Sequence, residues 1–329
     1  MSFTVLVSSA GRRVALVRGF QRALVEIAVE GRVLAADMST QSAAFHTSDL
    51  GIVVPHCLDE QFIPSMLQLC ARERVRLLVP TIDTELPTYA AHRGAFAEIG
   101  TQVLVSSPEV IALCADKRLT HTFLIQNDIP TVRQVTILAG EVGACDIPPP
   151  LVVKPASGSA SKGVRIVKDA LDLPGVVRDG SHVAQAVAPG HEYTIDAYVD
   201  DSGACRCAVP RRRIEVRAGE VSKAVTVRSA ALTQIANRVV AALPGPRGVL
   251  TIQVFWDESS DEVNVIEINP RFGGGYPLSL AAGADFPRWL VESVLGREPA
   301  IGQEAWLDGL LMLRYDDAVY IQSAGDKPA

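Results

Sequence analysis

The first hundred residues alternate short β-rich runs with amphipathic stretches, an order that few folds accommodate. FTVLVSS (3–9) reads as a strand, GRRVALVRGFQRALVEI (11–27) as a helix and RVLAADM (32–38) as a second strand. GIVVP, RLLVPTID and QVLVSS follow, separated by helical segments such as EQFIPSMLQLCARE (60–73). Strands joined by helices build a parallel sheet covered on both faces. Ligands of such sheets sit at the C-terminal strand ends, which places residues 8–12 and 81–85 at a crevice. The loop SSAGRR lacks the GxGxxG spacing, so a dinucleotide oxidoreductase ranks last among the readings. Glu85 in the second loop has two readings, a substrate contact or a charge that complements the next helix's dipole.

Beyond residue 106 the pattern changes. SSPEVIALCADKRLTHTFLIQNDIP (106–130) reads as helical up to Pro130, with Ser107 before Pro108 as the start signal. After the triple proline at 148–150, strands are expected at 150–155, 164–168, 182–187, 192–200 and 205–217. A helix is expected at 222–242, then the strand pair GVLTIQVFWD and VNVIEINPR, a helical region over 278–296 and a last strand or two within 309–321.

Composition bounds the function classes. With 48% apolar and 21% charged residues the chain is globular rather than disordered. A net charge of −6 argues against a nucleic-acid partner. The six cysteines form no CxxC pair and read as reduced thiols, with Cys205 and Cys207 leaning the same way on one strand. No apolar run reaches membrane-spanning length and the N-terminal one is cut by Arg12 and Arg13, so a cytoplasmic protein without membrane contact is expected.

The chemistry lies in three segments. In VNVIEINPRFGGG (263–275), Glu267, Asn269 and Arg271 alternate, and side chains two apart share one face of a strand. Glu, Asn and the upstream Gln253 offer oxygen ligands to a hard cation, and Arg suits a phosphate beside it. In PLVVKPASGSASKGV (150–164), a strand delivers Lys154 to a Gly/Ser loop whose N–H groups can cradle phosphate; this is not the Walker order, and a surface hairpin would look the same. In HVAQAVAPGHEYTID (182–196), Glu192 opens a strand and could accept two vicinal hydroxyls, or be a solvated edge charge. PRRRIEVRAGEVSK (210–223) puts Arg211 and Arg213 on one strand face as carboxylate binders or as a basic edge. Lys223, and Gly274 in the loop GGGYP, would border the same space.

Asp116–Lys117 at a helix opening, VVKP with its loop, Q-x-x-x-P-G-x-E-Y-T-x-D, IQVF and EINPR occur in one order. Together they resemble the ATP-grasp superfamily, in the branch shared by carbamoyl-phosphate synthetase large subunits and carboxylate–amine ligases. The resemblance covers nearly the whole chain, and EINPR is its most specific part. It implies a mixed α/β and α+β fold. A Rossmann-like pre-ATP-grasp parallel sheet would occupy 1–113, a small lobe with the phosphate-covering loop 114–184, and a C-terminal lobe with antiparallel strands and the Mg/ATP and substrate site 185–329.

By the same resemblance Lys117 and Lys154 hold the α- and β-phosphates, and Ser157, Gly158, Ser159 and Gly163 belong to the covering loop. Gln185, Ala186 and Val187 form the adenine hinge and Glu192 takes the ribose. Gln253, Glu267 and Asn269 ligate two Mg²⁺ ions, with Mn²⁺ as the alternative metal. Arg271 steadies the transferred phosphoryl group, so Arg271 and Lys154 are the catalytic pair. Many relatives carry Glu at the position of Ala186, a change that backbone contacts would survive. The implied activity is an ATP-dependent carboxylate–amine ligase that forms an amide through an acyl phosphate, with small amino-acid-like substrates and release of ADP and phosphate. Relatives commonly dimerise, so a homodimer is the implied assembly. A carbamoyl-phosphate-synthetase-like kinase of bicarbonate or carbamate, and a catalytically silent ATP-binding regulator, are the alternatives.

Overall fold

The computed structural model describes residues 2–137, 147–158, 163–169, 180–217 and 219–322. Strands β1 (Phe3–Val7), β2 (Gly31–Asp37), β3 (Leu50–Val53), β4 (Val75–Val79) and β5 (Gln102–Val103) form a parallel sheet in the order β3-β2-β1-β4-β5. Helices α1 (Val14–Glu26), α2 (Ala43–Thr47), α3 (Phe62–Glu73) and α4 (Leu86–Glu98) alternate with them. Strand order reverses between β1 and β4, so the loops after these two strands open the crevice expected of this topology.

The single helical stretch expected over 106–130 is two helices, α5 (Pro108–Ala115) and α6 (Lys117–Gln126). Asp116 breaks it: its backbone is extended, it bridges to Ser157, and its carboxylate caps α6 through the Arg118 N–H. Both helices lie on the core of the C-terminal sheet, where Val110, Phe123 and Leu124 meet Ile195, Leu232, Ile252 and Val265. By packing, residues 114–126 therefore side with the C-terminal lobe rather than the small one.

A small antiparallel sheet, β6 (Gln134–Thr136), β7 (Leu151–Pro155), β8 (Arg165–Val167) and β9 (His182–Ala186), runs in the order β6-β9-β7-β8. Its own core includes Leu151, Val153, Val167 and Ala184. The large antiparallel sheet comprises β10 (His191–Val199), β11 (Cys205–Arg217), β12 (Glu220–Thr226), β13 (Gly248–Asp257), β14 (Glu262–Asn269) and β15 (Leu311–Leu313), ordered β14-β13-β10-β11-β12-β15. Helices α7 (Ala230–Ala242), α8 (Tyr276–Ala281) and α9 (Phe286–Val294) complete the chain.

The helix expected from residue 222 is corrected: residues 220–226 are strand β12, and α7 starts only after Ser229, whose hydroxyl accepts from the Leu232 N–H. Pairing with β11 on one side and β15 on the other overrides the local preference. The two cysteines of β11 are likewise not on one face. Tyr198 pairs with Cys207 and Val199 with Cys205, so Arg206 is an extra, bulged residue. Cys207 enters the core shared with the N-terminal sheet, while Cys205 packs on the opposite core. Both thiols are free.

One apolar cluster joins the N-terminal sheet to the C-terminal lobe, stacking Phe20, Phe272, Tyr276 and Phe286 with Tyr198 and Trp289. Each fully buried aromatic contributes about 1.5–3 kcal/mol. That shared core fixes the loops after β1 and β4 against the large sheet. Among the described residues no helix is long and apolar enough to cross a membrane.

Candidate functional site

A cavity of about 670 Å³ opens where the three sheets meet. Its wall takes Arg13, Thr81 and Asp83 from the N-terminal loops, Lys154 and Gln185 from the small sheet, and Glu192, Gln253 and Glu267 from the large one.

The metal-type cluster depends on one irregularity. Along β13, Leu250, Ile252 and Val254 face the apolar core, while Thr251, Gln253 and Phe255 face the cavity. Strand β14 follows the same rule only because Val265 pairs with Val254 and Glu267 with Gln253, which leaves Ile266 as an extra residue. Regular alternation would keep residues 263, 265, 267 and 269 on one face. The bulge instead sends Val263 and Val265 into the core and turns Glu267 and Asn269 into the cavity, opposite Gln253 and Thr251. Nothing among the described residues hydrogen-bonds to the Glu267 carboxylate. Asn269 Oδ1 accepts only a long bond from Arg271, at 3.3 Å. One carboxylate and two amide oxygens suit a hard cation that shares its shell with phosphate oxygens.

Lys154, on β7, is almost fully buried at the cavity wall. Burial pushes its ammonium down to about 8, with Lys117 adding to the shift and Glu267 and Glu192 opposing it. Lys117 opens α6 and donates from Nζ to the Gly158 carbonyl at 2.8 Å. Ser157 and Gly158 line the cavity, and Gly158 holds a φ of +107° that favours glycine. Gly163 lies against the Pro155 ring, off the cavity wall, and Ser159 is outside the described residues. Gln185 is buried and donates to Gln134 Oε1; Ala186 and Val187 line the cavity beside it. The Ala186 N–H is taken by the Arg133 carbonyl.

Four of the expected substrate contacts have partners within the protein. Thr194 stands opposite Arg211 in the β10–β11 register, so the acids two residues either side of it meet the arginines of β11. Arg211 forks onto Asp196 at 2.7 and 2.9 Å, where Ser279 also donates, and Arg213 donates to Glu192 at 2.7 Å. These arginines first serve β10 acids. Lys223 pairs with Glu215 and lies off the cavity wall. Glu85 is fully buried, and its carboxylate accepts from Ser8, Ser9 and the Thr81 and Ile82 N–H groups, tying the β1 and β4 loops together. Burial raises its pKa against those hydrogen bonds. Gly274 does reach the cavity.

Asp83 is the main residue that the sequence reading did not single out. Its two oxygens take Arg271 Nε and Nη2 at 2.8 and 2.6 Å, across 188 positions of chain. The crevice spacing had marked residues 81–85, so the loop was visible but the pairing was not. Arg13, one residue past the marked 8–12 loop, also reaches the cavity.

Comparison with known families agrees with this geometry. Residues 5–104 match the family described as "PylC-like, N-terminal domain", and residues 114–275 match "ATP-grasp domain". Residues 114–275 are an ATP-grasp domain. The chain is 27% identical over 241 residues to the C-terminal section of the carbamoyl phosphate synthase large chain of Methanopyrus kandleri, covering 64% of this chain and 43% of that one. It thus spans less than half the length of that relative. Two solved structures share the fold. The biotin carboxylase domain of the Hydrogenobacter thermophilus 2-oxoglutarate carboxylase, in complex with MgADP, ADP and bicarbonate, gives a TM-score of 0.70 at 17% identity, over 94% of this chain and 74% of that one. The Staphylococcus aureus N5-carboxyaminoimidazole synthetase, complexed with ADP, gives 0.71 at 15% identity, over 92% and 80%. In the ATP-grasp domain Lys117, Lys154, Gln185, Glu192, Gln253, Glu267, Asn269 and Arg271 all reach one cavity.

Proposed function

We propose that this cavity binds ATP with Mg²⁺ and transfers the γ-phosphoryl group to a small carboxylate. An amine then captures the acyl phosphate, giving an amide, ADP and phosphate. The Ile266 bulge, which turns Glu267 and Asn269 toward Gln253 beside two lysines, carries this reading.

Lys117 and Lys154 neutralise the α- and β-phosphates from the small-sheet side. The wall at Gln185, Ala186 and Val187 takes the adenine, and Glu192, steadied by Arg213, takes the ribose hydroxyls. Gln253, Glu267 and Asn269 would hold Mg²⁺, which when bound supplies positive charge to the transferring phosphoryl group. Arg271 is oriented by Asp83, and Nη1, which donates once to the Phe272 carbonyl, keeps a second proton for a phosphoryl oxygen. In-line transfer needs positioning and charge neutralisation rather than a protein nucleophile. A homodimer belongs to this proposal, as does Mn²⁺ as a substitute metal.

The test is phosphate release from Mg·ATP across single and paired amino acids, with bicarbonate as a separate arm. Release that depends on particular amino acids, with a matching amide by mass, is the expected result. The carbamoyl phosphate synthase relative favours a second reading, bicarbonate as the carboxylate, and release driven by bicarbonate alone would decide for it. ATP bound but unreactive in every arm would leave a silent regulator.

The buried lysine gives a pH signature. Phosphates favour the charged form of Lys154, so its pKa rises above about 8 on binding. Below that value the free protein already carries the proton; above it, binding must take one up. ATP affinity should therefore fall about tenfold between pH 7 and 9, with proton uptake seen by titration calorimetry in buffers of different ionisation enthalpy. Lys154→Met should remove the linkage, and equal affinity at both pH values would count against the lysine's role.

A further inference from the structure

The cavity wall around the 273–275 glycines carries charges beyond those the nucleotide reading uses. Around the 273–275 glycines, Arg211 pairs with Asp196, Arg271 with Asp83 and Arg314 with Glu220. Arg13 is the guanidinium left over: nothing among the described residues hydrogen-bonds to it, although it lines the cavity. Burial, then the neighbouring Arg271, lowers its pKa, while Glu220 and Asp83 oppose that shift. Four guanidiniums thus meet three carboxylates, an excess of positive charge suited to an anion.

Two further atoms are uncommitted. Arg211 is only 1% exposed, yet its Nη1 has no partner and lies 2.3 Å from where a Cβ on Gly275 would stand. Glu220 uses Oε2 for Arg314, and its other oxygen, Oε1, turns to Gly274. The Cβ position of Gly274 lies 3.2 Å from Arg13 Nη1 and 3.5 Å from Glu220 Oε1. A cation and an anion converge on one point without forming an ion pair with each other.

We infer that this pocket is an α-amino-acid subsite: Arg13 receives the carboxylate and Glu220 Oε1 receives the ammonium, with the buried Arg211 behind Gly275 adding positive charge. The inference rests on the nucleotide reading of this cavity, because it names the co-substrate of that same site. Glycine at 274 leaves the room, since a methyl group there would stand between the two charges. The subsite draws on both the N-terminal sheet and the C-terminal lobe, which share one core.

The test is titration calorimetry with the protein pre-loaded with Mg²⁺ and a non-hydrolysable ATP analogue. The probes are the standard amino acids in both enantiomers, with acetate and methylamine as single-charge controls. At least one amino acid should bind, and both controls should bind far more weakly. Arg13→Ala, Glu220→Gln and Gly274→Ala should each weaken that amino acid at least tenfold, while the analogue still binds, which also shows that the variants fold. Arg13→Lys should recover part of the loss. The inference is overturned if no amino acid binds the loaded protein, or if binding survives in Arg13→Ala and Gly274→Ala. Failure of the analogue to bind the unmodified protein would instead bring down the nucleotide reading itself.

Discussion

Glu267→Gln should lower ATP turnover about a thousandfold or more and leave the melting temperature within about 2 °C of the unmodified protein. The large effect follows from charge. Gln253 and Asn269 offer only amide dipoles, so Glu267 brings the single formal negative charge of the trio to the metal. Losing several kcal/mol of charge stabilisation in the transition state is worth orders of magnitude in rate. The small effect on stability follows from its surroundings: the side chain faces the cavity, and no described residue hydrogen-bonds to it. Its removal also withdraws support from the Lys154 ammonium, which Glu267 raises. The variant should accordingly bind ATP with a steeper loss between pH 7 and 9. Turnover within about threefold of the unmodified protein would end the metal assignment, and a collapse of the melting temperature would recast Glu267 as structural.

What the sequence revealed was local periodicity with its chemistry attached. The βα alternation of residues 3–107 announced a parallel sheet, and EINPR announced a polar strand face. The bulge at Ile266 was not legible, because regular alternation would have put Glu267 and Asn269 on the same side as Val263 and Val265. One extra residue is invisible until the partner strand fixes the register. The same holds for Arg206, which parts Cys205 from Cys207. Arg211 and Arg213 were rightly placed on one face, but their partners belong to β10, and only the register shows which acids stand beside them. The strand at 220–226 was missed because its neighbours are supplied by β11 and by β15, which arrives some ninety residues later. Asp83 and Arg271 meet through packing of two domains, which no short window contains.

The buried fork gives the largest expected stability effect. Asp196→Ala should cost about 3–5 kcal/mol, read as a lower urea midpoint with an unchanged slope. Both side chains are sealed from solvent, at 0% and 1% exposure, so the Arg211 guanidinium would lose its counter-charge with no water to replace it. The Ser279 hydroxyl, 2.6 Å from the same carboxylate, would lose its acceptor as well. Removing both charges differs from removing one: an apolar replacement of a buried pair is often neutral or stabilising. Asp196→Ala combined with Arg211→Met should therefore regain most of the midpoint. A loss below about 1 kcal/mol in the single variant would mean that water reaches the pair and screens it.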